Sequence, residues 1–175
     1  RDVPMQMADG EVFTIPKEGG VGPDFSRFLN LTDPMGKMFL PHWLEAEVPD
    51  PYRHWQFGFT RGRSVRDCIL IRRTVWERAK RQRWCISDQM WDVIKAFDML
   101  DRPRLLTDIH RSDWFQDLLR NLLAKSHMFL EDDIYLTSTG VRQGDSMGPG
   151  LFRRSYDTAI ASWLAKVVEI SGASR

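Results

Sequence analysis

The chain changes its hydrophobic period repeatedly and never settles into a strand–helix–strand rhythm, which restricts it to an α+β architecture, helix-rich with short antiparallel strands. Glu11-Val12-Phe13-Thr14-Ile15 alternates before Pro16 and predicts a strand, with Phe25 to Leu31 as its partner. Asp33 as N-cap and Pro34 in the first turn open a helix, with Met35, Met38, Phe39 and Trp43 on its buried side and Pro41 limiting its length. Ser64 caps a second helix over about 65–82, where Val65, Cys68, Ile69, Val75, Trp76 and Ala79 form an amphipathic stripe interrupted by Arg72. Trp84 to Asp92 is expected as a strand. Pro103 begins a short helix towards Ile109, and Ser112 caps another that turns Trp114, Phe115, Leu118, Leu119, Leu122 and Leu123 inward. Met128-Phe129-Leu130 and Ile134-Tyr135-Leu136 flank Glu131-Asp132-Asp133 as a tight hairpin. A closing helix is expected over about 151–169, with Leu151, Phe152, Ala159, Ile160, Trp163, Leu164 and Val167 facing the core.

A net charge of +1 over 175 residues conceals a strong asymmetry. Residues 61–83 carry nine Arg or Lys against Asp67 and Glu77, so this block is strongly basic and the remainder acidic. That division suits one face that meets phosphates and another that holds metal ions; a solvated helix face gives the same composition. Cys68 and Cys85 have neither metal-ligand spacing nor the look of a disulfide framework. No apolar run approaches a membrane span and the first twenty residues hold no apolar signal core, which places the protein inside the cell, in nucleus or cytoplasm. A chain that starts at Arg1 and stops abruptly at Arg175 reads as a piece of a longer protein.

The chemistry is concentrated in two short strings. Asp92-Val93-Ile94-Lys95-Ala96-Phe97-Asp98 puts a carboxylate at the expected end of a strand, where a hard-oxygen ligand for Mg²⁺ would be held rigidly. Alone, Asp92 is better read as a strand end that simply faces water. Gly140-Val141-Arg142-Gln143-Gly144-Asp145 is a Gly-rich loop ahead of a helix, and alone it is a weak signal. Their order matters, as do Gln56-Phe57-Gly58-Phe59 and Gly62-Arg63-Ser64 ahead of them.

Taken together these strings resemble motifs A and B of reverse transcriptases, closest to the non-LTR retrotransposon and group II intron branch. The resemblance runs from about residue 11 to 165 and implies a partial right-hand polymerase fold, with fingers and an incomplete palm. Residues 1–83 would be the fingers-like region and 84–175 the partial palm. The implied activity is RNA-directed DNA synthesis by two-metal nucleotidyl transfer, using Mg²⁺, an RNA template, a DNA primer and deoxynucleoside triphosphates. Asp92 inherits the catalytic, metal-binding role. Phe97 would lie beneath the incoming sugar and exclude a 2′-hydroxyl by bulk. Lys17 and Arg27, in strings similar to the fingers strands, would hold the β- and γ-phosphates. Gln143 and Gly144 would contact the nucleotide, Gly144 by letting backbone approach closely. Gln56, Gly58, Gly62, Arg63 and Ser64 match the segment that lies along the template.

The sequence departs from the family at several places. Phe28 replaces the usual Pro, Arg72 an apolar residue, and Ser87-Asp88-Gln89 the apolar residues ahead of Asp92. Ser146-Met147-Gly148-Pro149-Gly150 stands where the family has Pro and then Leu-Ser-Pro. The family's next carboxylate hairpin, motif C, is expected after the closing helix, and Arg175 comes first; Asp132-Asp133 precedes motif B and is out of order. The chain by itself is therefore expected not to polymerise. The alternative is a non-catalytic nucleic-acid-binding remnant of a decayed retroelement that uses the 61–83 basic block.

Overall fold

The computed structural model describes residues 7, 9–20, 22, 26–48, 54–109, 112–124 and 126–171. Phe25 of the expected second strand lies outside them. Among the described residues there are five helices and one mixed four-stranded sheet, so the α+β class holds. The chain forms two compact units, Pro51–Ile94 and a larger one made of Arg1–Asp50 with Lys95–Arg175. This division does not coincide with the one drawn from the motifs between residues 83 and 84.

In the larger unit, β1 (Gly10–Pro16) and β2 (Ser26–Thr32) pair antiparallel over their full length, Gly10 opposite Thr32 and Ile15 opposite Arg27. β3 (His127–Leu130) and β4 (Asp133–Leu136) form the second hairpin, turning through Glu131 at φ 53°. The hairpins join because β3 runs parallel to β1, giving the order β2-β1-β3-β4. Asp9 fastens that junction: its carboxylate accepts from the His127 backbone N–H at 3.2 Å and lies 3.0 Å from the His127 ring Nδ1. Parallel pairing across more than a hundred residues leaves no local trace in sequence.

Helix α1 (Pro34–Glu47) starts as expected, with the Asp33 carboxylate accepting from the N–H groups of Met35 and Gly36. Its buried residues are Gly36, Leu40 and Leu44, while Met35, Met38 and Phe39 are exposed, so of the expected inward residues Trp43 alone packs on the core. Two apolar stripes share the helical period here, and the branched leucines occupy the core. Pro41 does not end the helix. Proline lacks the N–H that would bond the Lys37 carbonyl four residues earlier. That carbonyl instead accepts from the Ser146 hydroxyl at 3.1 Å.

α3 (Arg102–Asp108), α4 (Asp113–Ala124) and α5 (Gly148–Ser171) complete the larger unit. Asp101 caps α3, with Pro103 in its first turn. α4 buries Phe115, Leu119, Leu122 and Leu123 on one stripe, whereas Trp114 is largely exposed and sets its ring edge-on to Trp43 of α1. Ser112 donates its hydroxyl to Glu47 at 2.5 Å, linking the start of α4 to the end of α1. The core is the meeting of Leu40 and Leu44, Leu105 and Ile109, the α4 stripe, and Val141, Met147 and Leu151. Only the first part of α5 joins it: Trp163 and Val167, expected inward, are exposed. Arg154 of α5 donates to the Val48 carbonyl at the end of α1, a cation on the negative end of a helix.

The smaller unit is built on α2 (Val65–Gln82). Ser64 and Asp67 form a reciprocal capping box, and Arg83 closes the helix in the left-handed conformation at φ 55°. The expected buried stripe is not formed, because Ala79 is the helix's one buried residue and Ile69, Val75 and Trp76 are exposed. Nor is the strand expected over 84–92, a segment without regular structure. Its polar Ser87-Asp88-Gln89 returns to the helix instead. The Asp88 carboxylate accepts from Arg72 Nε at 2.5 Å and from Trp76 Nε1 at 3.3 Å. Arg72, anomalous within an apolar stripe, is the ion-pair partner that holds the Asp88 carboxyl below the usual carboxylate range, with Trp76 adding to the effect.

Candidate functional site

Two segments of the larger unit far apart in sequence lie side by side. The Val141 N–H donates to the Phe97 carbonyl at 2.8 Å, and the Gly140 N–H to the Leu100 carbonyl at 2.8 Å. Side chains repeat the connection, since Gln143 Nε2 donates to both oxygens of Asp98 at 3.2 and 3.3 Å. A carboxylate only accepts, so the amide nitrogen must be the end that faces it. The same loop reaches the first hairpin: the Asn30 N–H of β2 donates to the Gln143 carbonyl at 2.7 Å.

Glycine makes both approaches possible. Gly140 has φ +73°, and a Cβ there would stand 2.5 Å from the carbonyl oxygens of Phe97 and Asp98. Gly144 has φ +100°, and its Cβ would stand 2.5 Å from the Asn30 carbonyl oxygen. The close backbone approach expected at Gly144 is thus an approach to strand β2.

Between the hairpin and this loop lies a cavity of about 520 Å³, lined by Lys17, Arg27, Asn30, Lys95, Asp98, Arg102, Arg142 and Gln143 together with Ser26, the apolar Phe28 and Met128, and residues of 136–141. Five lining side chains are cationic and one, Asp98, is anionic. A cavity of that sign suits a ligand with several negative charges. Two of the cations are structural. Arg102 is buried and donates to Gly140 O at 2.7 Å through Nε, to Leu123 O at 2.5 Å and to the Thr137 carbonyl through Nη1, and to Thr137 Oγ1 at 2.7 Å through Nη2. Burial lowers its pKa, and the neighbouring Arg142 charge lowers it further. Arg142 is itself buried and paired with Asp145 at 3.3 Å. Lys17, just past β1, Arg27 in β2 and Lys95 stand at exposed positions of the lining.

Of the residues singled out in sequence, Lys17, Arg27 and Gln143 therefore share one cavity. Phe97 is outside its lining: the half-buried ring packs on the core and meets Phe152 at a centroid distance of 5.2 Å. Asp92 belongs to the smaller unit, in the stretch without regular structure, and is exposed. Among the described residues no three His, Cys, Asp or Glu side chains gather as a metal site. Asp92 thus offers Mg²⁺ a single carboxylate, and the described residues bring no set of ligands for two ions together.

Gln56, Gly58, Gly62, Arg63 and Ser64 also lie in the smaller unit, where they serve its local structure. Arg63 Nη1 donates to the carbonyls of Gln56 at 2.8 Å and His54 at 3.1 Å, and its guanidinium stands 5.2 Å from the centre of the Phe57 ring. Gly62 takes φ +76° in the turn before Ser64, the helix cap. Gly58 has open space around it.

Asn30, Lys95 and Arg102 were not picked out from sequence as site residues. A polar residue amid Phe28, Leu29 and Leu31 was a readable sign for Asn30; nothing local marks Arg102. No protein-family model matches the chain, and no curated protein matches it. No helix among the described residues is long and apolar enough to cross a membrane.

Proposed function

We propose that this chain is the nucleotide-holding part of an RNA-directed DNA polymerase of the reverse-transcriptase type, comprising fingers and an incomplete palm. The observation that carries the reading is the cavity itself. Lys17 and Arg27 from the first hairpin, Lys95 and Asp98 from the motif A string, and Gln143 from the motif B loop line one space, although up to 126 positions of sequence separate them. In this reading the cavity takes a deoxynucleoside triphosphate, with Lys17 as a point charge and Arg27 as a fork on its terminal phosphates. The smaller unit, with its basic helix, follows an RNA template paired to a DNA primer. Asp92 is assigned to Mg²⁺, which in such enzymes stabilises charge while a primer 3′-hydroxyl displaces pyrophosphate. With one carboxylate available, the chain alone is not assigned polymerase activity, and no step is routed through the metal. The assignment to the cell interior accords with two free cysteines, Cys68 and Cys85.

A second reading, a nucleic-acid binder without chemistry, is favoured by one observation: metal-ligating side chains do not cluster among the described residues. Calorimetric titration of the chain with a deoxynucleoside triphosphate separates the two. Binding is expected, and Lys17→Ala or Arg27→Ala should each weaken it by about tenfold, the usual loss for one charge-assisted contact. Affinity for the triphosphate that is absent, or unchanged in both variants, would favour the binder.

A further inference from the structure

We infer that Lys95 is a third phosphate-binding residue of the cavity, and that its strained backbone exists to present its ammonium there. The inference rests on the nucleotide reading only for the nucleoside; the ligand class it requires is an oligophosphate.

Two observations converge. Lys95 lines the same cavity as Lys17 and Arg27, and among the described residues its ammonium makes no hydrogen bond or ion pair. The cavity's one lining carboxylate, Asp98, is occupied by the Gln143 amide. Second, Lys95 has φ +49°, a left-handed conformation that is unfavourable for a residue with a long side chain. Nothing about the turn requires lysine, since glycine adopts that φ without strain and would leave the Lys95 carbonyl to accept from the Met99 N–H as it does now, at 2.9 Å. A strained residue where glycine would serve points to a use for the side chain.

An oligophosphate matches this lining better than a monophosphate does. Three exposed cations on separate segments, at Lys17, Arg27 and Lys95, suit charge spread along a chain of phosphates.

The test uses inorganic tripolyphosphate as the probe with Lys95→Gly, Lys95→Gln and Lys95→Arg, reading affinity by calorimetry and stability by urea denaturation. Lys95→Gly should keep or raise the unfolding midpoint, because strain is relieved, yet weaken tripolyphosphate binding by about tenfold. Lys95→Gln should weaken binding likewise, and Lys95→Arg should restore it. Binding unchanged in Lys95→Gly and Lys95→Gln overturns the inference. So does a joint fall of stability and binding in Lys95→Gly, which would make Lys95 a residue of the fold, and so does a native chain that ignores tripolyphosphate. If the native chain binds tripolyphosphate through Lys95 but gains nothing from an attached nucleoside, the inference stands and the nucleotide reading fails.

Discussion

Replacing Arg102 with methionine is expected to destabilise the larger unit by about 3–5 kcal/mol, the largest effect of any single change outside the apolar core. One guanidinium ties together three segments, the 137–140 loop, the end of α4 and the start of α3. Nε takes the Gly140 carbonyl, Nη1 the carbonyls of Leu123 and Thr137, and Nη2 the Thr137 hydroxyl, while Arg102 itself begins α3. Methionine fills similar space but takes the donor from the Gly140 and Leu123 carbonyls in buried surroundings, while the part-buried Thr137 hydroxyl keeps Ser126 Oγ at 3.0 Å. Each such loss costs about 1–3 kcal/mol, partly relieved where water can enter. A lysine in its place would keep the charge, but its three N–H groups leave a single nitrogen and cannot span acceptors that Nε, Nη1 and Nη2 reach separately, so Arg102→Lys should still cost about 2 kcal/mol. Urea denaturation followed by circular dichroism checks both values. Because Arg102 anchors Gly140, triphosphate binding should fall in the methionine variant even at temperatures where it remains folded. A loss under about 1 kcal/mol for Arg102→Met would mean that the hydrogen bonds are exchanged for water at little cost.

Gly144→Val should come next, at about 3 kcal/mol, from left-handed backbone strain of about 1–3 kcal/mol plus a lost hydrogen bond of about 1 kcal/mol. The Cβ has nowhere to go, since the atom 2.5 Å away is the Asn30 backbone oxygen of a paired strand. Either β2 or the loop must yield, and the 2.7 Å bond from the Asn30 N–H to the Gln143 carbonyl goes with it. Gly19 provides the control. Its φ is +106°, close to that of Gly144, but nothing lies within 4 Å of its Cβ position. Gly19→Val therefore carries strain without collision and should cost about 1–2 kcal/mol. Equal losses at the two sites would show that the loop gives way freely. A larger loss at Gly144, accompanied by weaker triphosphate binding, is the expected outcome.

What could be read in the sequence was local. The alternation of 11–15 with its closing proline, the Ser64 cap three residues ahead of Asp67, and the short apolar runs on either side of Glu131-Asp132-Asp133 carry their own geometry, and these elements form as expected. The failures have physical causes. α1 has two apolar stripes, and periodicity cannot say that Leu40 and Leu44 win over Met35, Met38 and Phe39. Pro41 reads as a helix stop unless one knows that Ser146 will supply the missing donor. The strand expected over 84–92 rests partly on the motif behind it, and Ser87-Asp88-Gln89 argue against it.

The site divides in the same way. The family resemblance pointed to Lys17, Arg27 and Gln143, which share a cavity. The left-handed Lys95 and the Arg102 anchor depend on partners distant in sequence, beyond the reach of spacing or composition.

The central claim is that this cavity holds a nucleoside triphosphate. Its most direct test is a two-dimensional ¹H–¹⁵N NMR titration of the chain with a deoxynucleoside triphosphate at moderate salt. The backbone signals of Lys17, Arg27, Asn30 and Lys95, and the side-chain amides of Gln143 and Asn30, should move together and return as salt is raised. Signals that stay still at all these positions, or shifts confined to residues 54–94, would contradict it.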